Sequence, residues 1–357
     1  MDSFAFIIHP IDPKRDVKRK YPFLGRILNE PIINFLSTFF PPVYLSEIEN
    51  ITSEATGKTI KGWLIACPLT SERMVKLPTW LSYRKIIQTG RLAERLGANI
   101  VGLGAFTAVV GDGGITIANN LDIPVTTGNS YTIATSIQAV RKAAALMNIE
   151  IGKATAAVVG ATGSIGQVCA QLLAEEVSRL FLIGRTEEKL LKLQSKLEAT
   201  SSAQLITSTD LNSLREADIV LTVTSSIEAI VQPQHIRSGS VICDVARPRD
   251  VSETIAKTRN DVLIVDGGVI DVPGLANFNF DFGFPPGKAY ACMAETIVLA
   301  LEGRFEDYSL GKETSLQQVK EIAEIADKHG FKLSGFRSFE QPITEMQIES
   351  IRKNAKR

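Results

Sequence analysis

Between residues 153 and 271 short apolar runs alternate with stretches of helical periodicity. TAAVVG is followed by Ile165, Val168, Cys169, Leu172 and Leu173 at helical spacing. LFLIG is followed by EEKLLKLQSKLEA, and QLITS, DIVLTVT, SVICDV and VLIVDGG continue the series. Strands that are apolar throughout are buried on both faces, and helices between them are the crossovers of parallel βαβ units. This alternation predicts an α/β protein on a Rossmann-type doubly wound parallel sheet. A chain of 357 residues leaves room for a second domain. We expect a smaller N-terminal α/β domain over 1–150 that binds substrate, the sheet domain over 151–284, and a helical segment over 285–357 packing back on the first domain.

The first 150 residues have a different texture. Runs 4–9 and 61–67 read as strands, the latter after the Gly57-Lys58 turn, and 100–110 as a buried strand with glycines at Gly102 and Gly104. Residues 80–96 form a helical stripe that Gly97 ends, and 133–146 form another helix. The most apolar stretch, 31–45, is too short to span a bilayer and contains Pro41-Pro42. It follows a basic run of Lys14, Arg15, Lys18, Arg19, Lys20 and Arg26. The stretch reads either as a core-capping element with a solvated flank, or as a lid or dock for a greasy substrate, a membrane surface or an acidic partner. Membrane contact is thus peripheral at most.

Composition narrows the function classes. Lys+Arg and Asp+Glu are both 39, so the net charge of +0 argues against a broad nucleic-acid footprint. Cys67, Cys169, Cys243 and Cys292 form no CxxC pair, and the only histidines are His9, His235 and His329. A disulfide scaffold and a metal site are not expected, and a reducing compartment is. No secretory signal is evident at the start of the chain, so a cytoplasmic location is expected.

GATGSIG joins the first strand of the series to its first helix and places Gly160, Gly163 and Gly166 in a GxxGxxG spacing. Glycines let the backbone approach a pyrophosphate, and the helix N-terminus offers N–H groups and a positive dipole. Thr162, Ser164 and Ile165 complete the candidate phosphate site, Ser164 adding a hydroxyl donor. The second strand ends in Gly184-Arg185-Thr186, where an acidic residue would bind the ribose 2′-hydroxyl of NAD. Arg185 can instead clamp a 2′-phosphate, which favours NADPH. Thr186 is a cofactor contact or the cap of the next helix. Thr224 and Ser225 end the fourth strand along the cofactor crevice, and Asp266-Gly267-Gly268 ends a later one where a nicotinamide would sit.

Pro285-Pro286-Gly287 breaks structure before Lys288-Ala289-Tyr290-Ala291-Cys292-Met293-Ala294-Glu295. A helix starting there puts Cys292 in its first turn, where the helix dipole and Lys288 one turn back would favour the thiolate, a nucleophile for acyl groups. Tight packing of a small buried residue fits the same pattern. Cys67, Cys169 and Cys243 lie in apolar elements and read as packing. Thr127, Gly128, Asn129 and Ser130 precede a helix and serve either as its cap or as the wall of a substrate cleft. Gly104 and Phe106 can bring backbone close to a ligand, and His329 sits at a helix end as a cap.

These residues together resemble the long-chain acyl-(acyl-carrier-protein) reductases of cyanobacteria. The resemblance covers nearly the whole chain and rests on LGAFTAVV, VTTGNSYT, VVGATGSIG, the Arg185 strand end, VDGG, AYACMAETIVLALEGR and the KHGF segment. It departs at Tyr131, where the family carries a histidine, and in a basic tail ending Lys353, Lys356 and Arg357. The family's matching cysteine carries the acyl group, and its glycine loop binds NADPH. The resemblance therefore implies reduction of an acyl thioester, on acyl carrier protein or coenzyme A, to a fatty aldehyde through a Cys292 thioester. It also implies an aldehyde-consuming enzyme downstream. On this reading the 32–45 stretch, with Phe35, Phe39 and Phe40, lines an acyl tunnel, and the basic run over 14–26 receives an acidic carrier protein. Two alternatives remain at this point: an NADP-linked dehydrogenase of a small hydroxy or amino acid without covalent catalysis, and a cofactor-binding protein without catalysis.

Overall fold

The computed structural model describes residues 2–355; Met1, and Lys356 and Arg357 of the basic tail, lie outside the described residues. The chain forms two compact units, one of Met1–Tyr131 with Ile270–Lys332, the other of Thr132–Val269 with Leu333–Arg357. The division thus falls at 131, 269 and 332, where the sequence suggested 150 and 284. The C-terminal segment is shared: the helix Leu316–His329 belongs to the first unit and Glu345–Asn354 to the second.

The first unit is built on a six-stranded sheet. Its strands include β1 (Ser3–Ile8), β2 (Val43–Thr52), β3 (Thr59–Ala66), β4 (Val101–Leu103) and β5 (Val125–Thr126), with Gly274–Asn277 at the far edge beside β2. β3, β1, β4 and β5 run parallel, and β2 is antiparallel to β3. The helix Thr79–Leu96 packs on β3 and β1 and ends where Gly97 takes φ 89°, as its sequence predicts. The helix Ala291–Glu302 packs on β1, β3 and β4, and Met293 through Leu301 are all buried.

The 100–110 run does not continue as a strand. β4 stops at Leu103, and Phe106–Val109 forms one helical turn. Ala105 takes φ 48° and ψ −125°, a conformation that side chains other than glycine rarely adopt. The turn is held from outside the run. The Gly104 N–H donates to the Ile7 carbonyl (2.9 Å), and the Phe106 N–H donates to His9 Nε2 (3.1 Å).

The 31–45 stretch is mixed: Ile33 and Leu45 are buried in the core and residues 43–45 begin β2, while its three phenylalanines stand open rather than lining an enclosed tunnel. The helix Glu30–Ser37 buries only Ile33 and Ser37, and Phe35, Phe39 and Phe40 face solvent.

The second unit contains β6 (Thr155–Val159), β7 (Arg179–Ile183), β8 (Gln204–Ser208), β9 (Ile219–Thr222), β10 (Val241–Asp244) and β11 (Leu263–Asp266). All are parallel, in the spatial order β11-β10-β9-β6-β7-β8. The order reverses between β6 and β9, the switch point at which open α/β sheets bind ligands. Val158, Leu182, Leu221 and Val241 are among the strand residues with no exposed surface, which explains the apolar runs.

Candidate active site

The glycine loop sits at the carboxyl end of β6. The N–H groups of Gly160 and Ala161 both donate to the Ile183 carbonyl (2.9 and 3.0 Å), and Gly163 N–H donates back to the Gly160 carbonyl (3.0 Å). Gly160 has φ 87°, and a side chain at Gly166 would place its Cβ 2.1 Å from the Gly160 oxygen. These two glycines are required by conformation and by contact, respectively. The helix Ser164–Ala174 begins at Gly163 with no side-chain cap, so the first turn at Ser164, Ile165 and Gly166 is left without a side-chain acceptor. Gln167 Nε2 donates to the Thr162 carbonyl (3.1 Å), which steadies the loop crest. Thr224 packs on Gly160 and is itself fixed, its N–H donating to Asp250 Oδ2 (2.9 Å) and its hydroxyl to Oδ1. Asp250 is buried, and burial pushes its carboxyl up to about 6 against those two bonds. Ser225 is exposed beside it.

Arg185 is exposed at the end of β7 and has no ion-pair partner among the described residues. Thr186 occupies the cap position of the helix Glu187–Glu198, but its side chain makes no capping bond. Both are therefore open to a ligand. Asp266 is not: it is buried and ion-paired to Arg249, and its Oδ2 accepts from the Glu340 N–H (3.0 Å). Burial raises its carboxyl, but Arg247 and Arg249 outweigh that and hold it below the usual range. A dinucleotide fits this arrangement: an open helix terminus, glycines where side chains would clash, and an unpaired arginine at the adjacent strand end.

In the first unit Cys292 is the second residue of the helix Ala291–Glu302, which starts after Tyr290 with no side-chain cap. Lys288 is not one turn back on that helix. It lies in the short strand Lys288–Tyr290, because the helix starts one residue before the cysteine, and it pairs with Asp271. Of the four cysteines only Cys292 is not buried. Burial pushes the Cys67 thiol up to about 11, Cys169 up to about 12 and Cys243 higher still. These three are inert packing residues, as expected from their apolar elements.

The TTGNS segment lies against the cysteine. Gly128 has φ 75°, and a Cβ on it would sit 2.3 Å from both Cα and Cβ of Cys292. One turn along the same helix, Glu295 is wholly buried and ties the segment down. Its Oε1 accepts from the Thr126 hydroxyl (2.5 Å) and its Oε2 from the Tyr131 N–H (2.8 Å). Burial raises the Glu295 carboxyl, opposed by these donors together with Gly128 N–H. The Ser309 hydroxyl donates to Ser130 Oγ (2.7 Å), and the Thr127 hydroxyl donates to the Ser309 carbonyl. Thr127 and Ser130 are therefore committed to the loop's own structure. Asn129 is the one side chain of the segment whose polar atoms have no protein partner among the described residues.

Gly104 and Phe106 stand at the end of β4. Phe106 is buried with Ile7, Leu103 and Ile86 and meets the His9 ring edge-on. His9 donates from Nδ1 to the Pro10 carbonyl (3.1 Å) while Nε2 accepts from Phe106, so it is a neutral tautomer; burial lowers it to about 4. His329 ends its helix and bridges Ser53 and Glu302 (both 2.7 Å) rather than capping. Tyr131 is buried, its hydroxyl pushed up by burial and by Asp327.

Glu295 is the residue the sequence reading passed over. One signal was available: the carboxylate in the middle of ACMAETIVLAL, where every neighbour is apolar or small. A charge in such a helix is either exposed on an apolar face or buried with donors around it.

Residues 141–267 match the shikimate/quinate 5-dehydrogenase family. Over 362 aligned residues the chain is 33% identical to the aminotransferase PigE of a Serratia species, covering 98% of this chain but 42% of PigE. It is 29% identical to the long-chain acyl-[acyl-carrier-protein] reductase of Synechococcus elongatus, covering 82% of this chain and 87% of that protein. Among solved structures, L-tryptophan dehydrogenase from Nostoc punctiforme aligns over 92% of this chain and 80% of that one at 14% identity, with a TM-score of 0.40. The chain thus spans less than half of one curated relative and most of another. Its second unit is of the NAD(P)-binding oxidoreductase kind, a Rossmann sheet with the shikimate/quinate dehydrogenase pattern.

Proposed function

We propose that this chain is a cytoplasmic NADPH-dependent reductase that converts a long-chain acyl thioester, held on acyl carrier protein or coenzyme A, to a fatty aldehyde. The observation that carries this reading is the contrast among the four thiols. Three are buried, and the fourth stands in the first turn of a helix under a glycine that leaves no side chain between it and the adjoining loop. Similarity to the acyl-carrier-protein reductase over 82% of the chain supports the substrate class.

In this reading the Cys292 sulfur attacks the thioester carbonyl carbon. A C–S bond forms, and the carrier sulfur leaves and takes a proton. The acyl group then rests on Cys292 as a thioester, whose carbonyl accepts hydride more readily than an ester or carboxylate. A bound reduced nicotinamide supplies the hydride. The tetrahedral carbon next expels the Cys292 thiolate, and the aldehyde leaves. Asn129 and the first N–H groups of the cysteine helix stabilise the oxyanion at both tetrahedral stages. Glu295 positions the Thr126–Tyr131 turn from behind. Gly160, Thr162, Gly163, Ser164, Ile165 and Gly166 hold the pyrophosphate, Arg185 and Thr186 the 2′-phosphate, and Thr224 and Ser225 the crevice wall.

A second reading, a dehydrogenase of a small hydroxy or amino acid, draws on the shikimate/quinate match over 141–267. One experiment separates them. The protein and its Cys292→Ala variant are given NADPH and a long-chain acyl-carrier thioester, and cofactor oxidation and extracted aldehyde are followed. Aldehyde from the first and none from the variant is the expected result. Dinucleotide binding without aldehyde, or turnover unchanged in the variant, would leave the small-substrate dehydrogenase in its place.

A further inference from the structure

The helix Glu30–Ser37 is amphipathic the wrong way round. Its inward side is Ile33 and Ser37. Ile32, Phe35, Leu36 and, one turn on, Phe39 recur at helical spacing on the outward side, with Phe35 60% and Phe39 69% exposed. The preceding turn repeats this: Phe23 (73% exposed) and Ile27 lie four residues apart on Pro22–Ile27, whose only buried residue is Gly25. A Cβ at Gly25 would stand 2.6 Å from the Lys18 backbone, so the basic helix Pro13–Lys20 and this apolar one are pressed into a tight pair. The arrangement is braced rather than frayed. Asn34 donates to Glu72 (2.5 Å) and accepts from Thr70 (2.7 Å), Arg73 donates to Thr38 (3.1 Å), and Lys85 donates to the Phe40 carbonyl (2.7 Å). These bonds join the segment to Ser71–Lys76 and to the start of Thr79–Leu96, which add exposed Val75 and Trp80 (61%).

Isolated exposed apolar side chains need no explanation, but a braced surface of aromatic and aliphatic ones does. Its charge says what covers it. Residues 12–40 and 71–85 carry ten Lys and Arg against four Asp and Glu, in a chain whose net charge is +0. A second copy of the chain would bring like charge against like. An anionic bilayer surface offers what this face lacks: negative headgroups for Lys14, Lys18, Arg26 and Arg84, and an apolar layer for Phe23, Phe35, Phe39 and Trp80. No helix among the described residues is long and apolar enough to cross a membrane. We propose that the face formed by residues 13–40 and 75–84 lies on anionic lipid bilayers, as an interfacial anchor that sets its aromatic side chains at headgroup depth. The inference does not rest on the reductase reading.

Flotation of the full chain with lipid vesicles tests it. The protein is expected to float with equimolar phosphatidylcholine–phosphatidylglycerol vesicles, to float far less with pure phosphatidylcholine, and to be released by high salt. A Phe23→Ser/Phe39→Ser/Trp80→Ser variant, changed only at exposed positions, should keep its Tm and lose roughly tenfold or more in partitioning. Lys14→Glu/Lys18→Glu/Arg26→Glu should reduce binding to the anionic vesicles alone. Three results would overturn the proposal. The full chain could fail to float with anionic vesicles. It could float equally well in the serine variant. Or the chain could show a dimer, or a complex with acidic acyl carrier protein, that the serine variant abolishes while flotation is absent.

Discussion

Two helices in this protein begin alike and are braced differently. Ser164–Ala174 and Ala291–Glu302 both start without a side-chain cap, each beside a glycine of positive φ, Gly160 at 87° and Gly128 at 75°. Other helices carry side-chain caps, and Ser315 and Thr344 form reciprocal boxes. The first open terminus is held almost wholly by backbone: Gly160, Ala161 and Gly163 bond to carbonyls of the loop and of β7. The second is held by side chains, with Glu295, Thr126 and Ser309 fixing the turn against Cys292. A backbone cradle suits a ligand recognised by N–H groups. A side-chain brace suits a reactive atom that must be held still. On the function proposed above, the same opening serves as a phosphate site or as a nucleophile site according to what surrounds it.

The sharpest way to break this comparison is to add one methyl group at each terminus. Gly128→Ala forces Cβ into the Cys292 backbone at a φ that alanine resists. Turnover should fall at least ~100-fold, since displacements of about 1 Å cost that much, while dinucleotide affinity stays unchanged. Gly166→Ala collides with the Gly160 carbonyl. It should weaken dinucleotide binding by about two orders of magnitude and leave iodoacetamide labelling of Cys292 alone. Each should cost ~1–3 kcal/mol of stability, read by denaturant unfolding. If both variants lose the same property, the two termini do not have separate roles.

The next largest effect is expected at Glu295. Glu295→Gln replaces one acceptor oxygen with a donor that faces the Tyr131 N–H or the Thr126 hydroxyl. It should cost ~1–3 kcal/mol for the unsatisfied pair and lower kcat more than KM, because a positioning residue acts through Cys292. A Tm unchanged from the parent would show that the carboxylate braces nothing.

How much of this was legible beforehand differs between the two termini for the same reason. The glycine loop is local: its glycines, its strand and its helix lie within a few residues of one another, and apolar runs announce the buried strands around it. The cysteine terminus is assembled from distant parts. Thr126 meets Glu295 across 169 positions, and Phe106 meets His9 across 97. The 100–110 run carries a strand's apolar pattern, yet it breaks at Ala105, where the following Phe106 N–H is taken by the His9 side chain instead of a neighbouring strand. β2 went unseen because two register shifts, at 44–46 and 48–51, spoil the alternation that would reveal it. The outward stripe of Glu30–Ser37 misleads for the opposite reason: its periodicity is clear, but periodicity does not say which side is wet.

A smaller effect tests the cradle's selectivity. Arg185→Glu puts a carboxylate where a 2′-phosphate would sit. It should raise the KM for NADPH roughly 10- to 100-fold and improve the use of NADH. Unaltered preference would mean that the arginine, though unpaired, does not read the ribose.

The finest distinction is in the response to acid, because the two regions hold different buried groups. His9, which fixes the turn at Ala105, is lowered to about 4 by burial. Between the unfolded value of 6.5 and 4 the unfolded chain binds the extra proton, so this contribution is present above 6.5 and is lost as pH falls through 4. From pH 7 to pH 5 the loss is about 2 kcal/mol. Asp250, which fixes Thr224 over the glycine loop, is raised from 3.8 to about 6. There the folded state binds the extra proton, so its contribution is complete below 3.8 and is lost as pH rises through 6. The same acidification therefore favours the folded second unit by about 1 kcal/mol. Segment-resolved hydrogen exchange at pH 7 and pH 5, corrected for intrinsic rates, should show protection falling around Phe106 while it holds or rises around Thr224. His9→Gln, which keeps an acceptor for the Phe106 N–H but does not titrate, should abolish the first change, and Asp250→Asn the second. Parallel loss in both regions would mean that the two sites are not braced by independent groups.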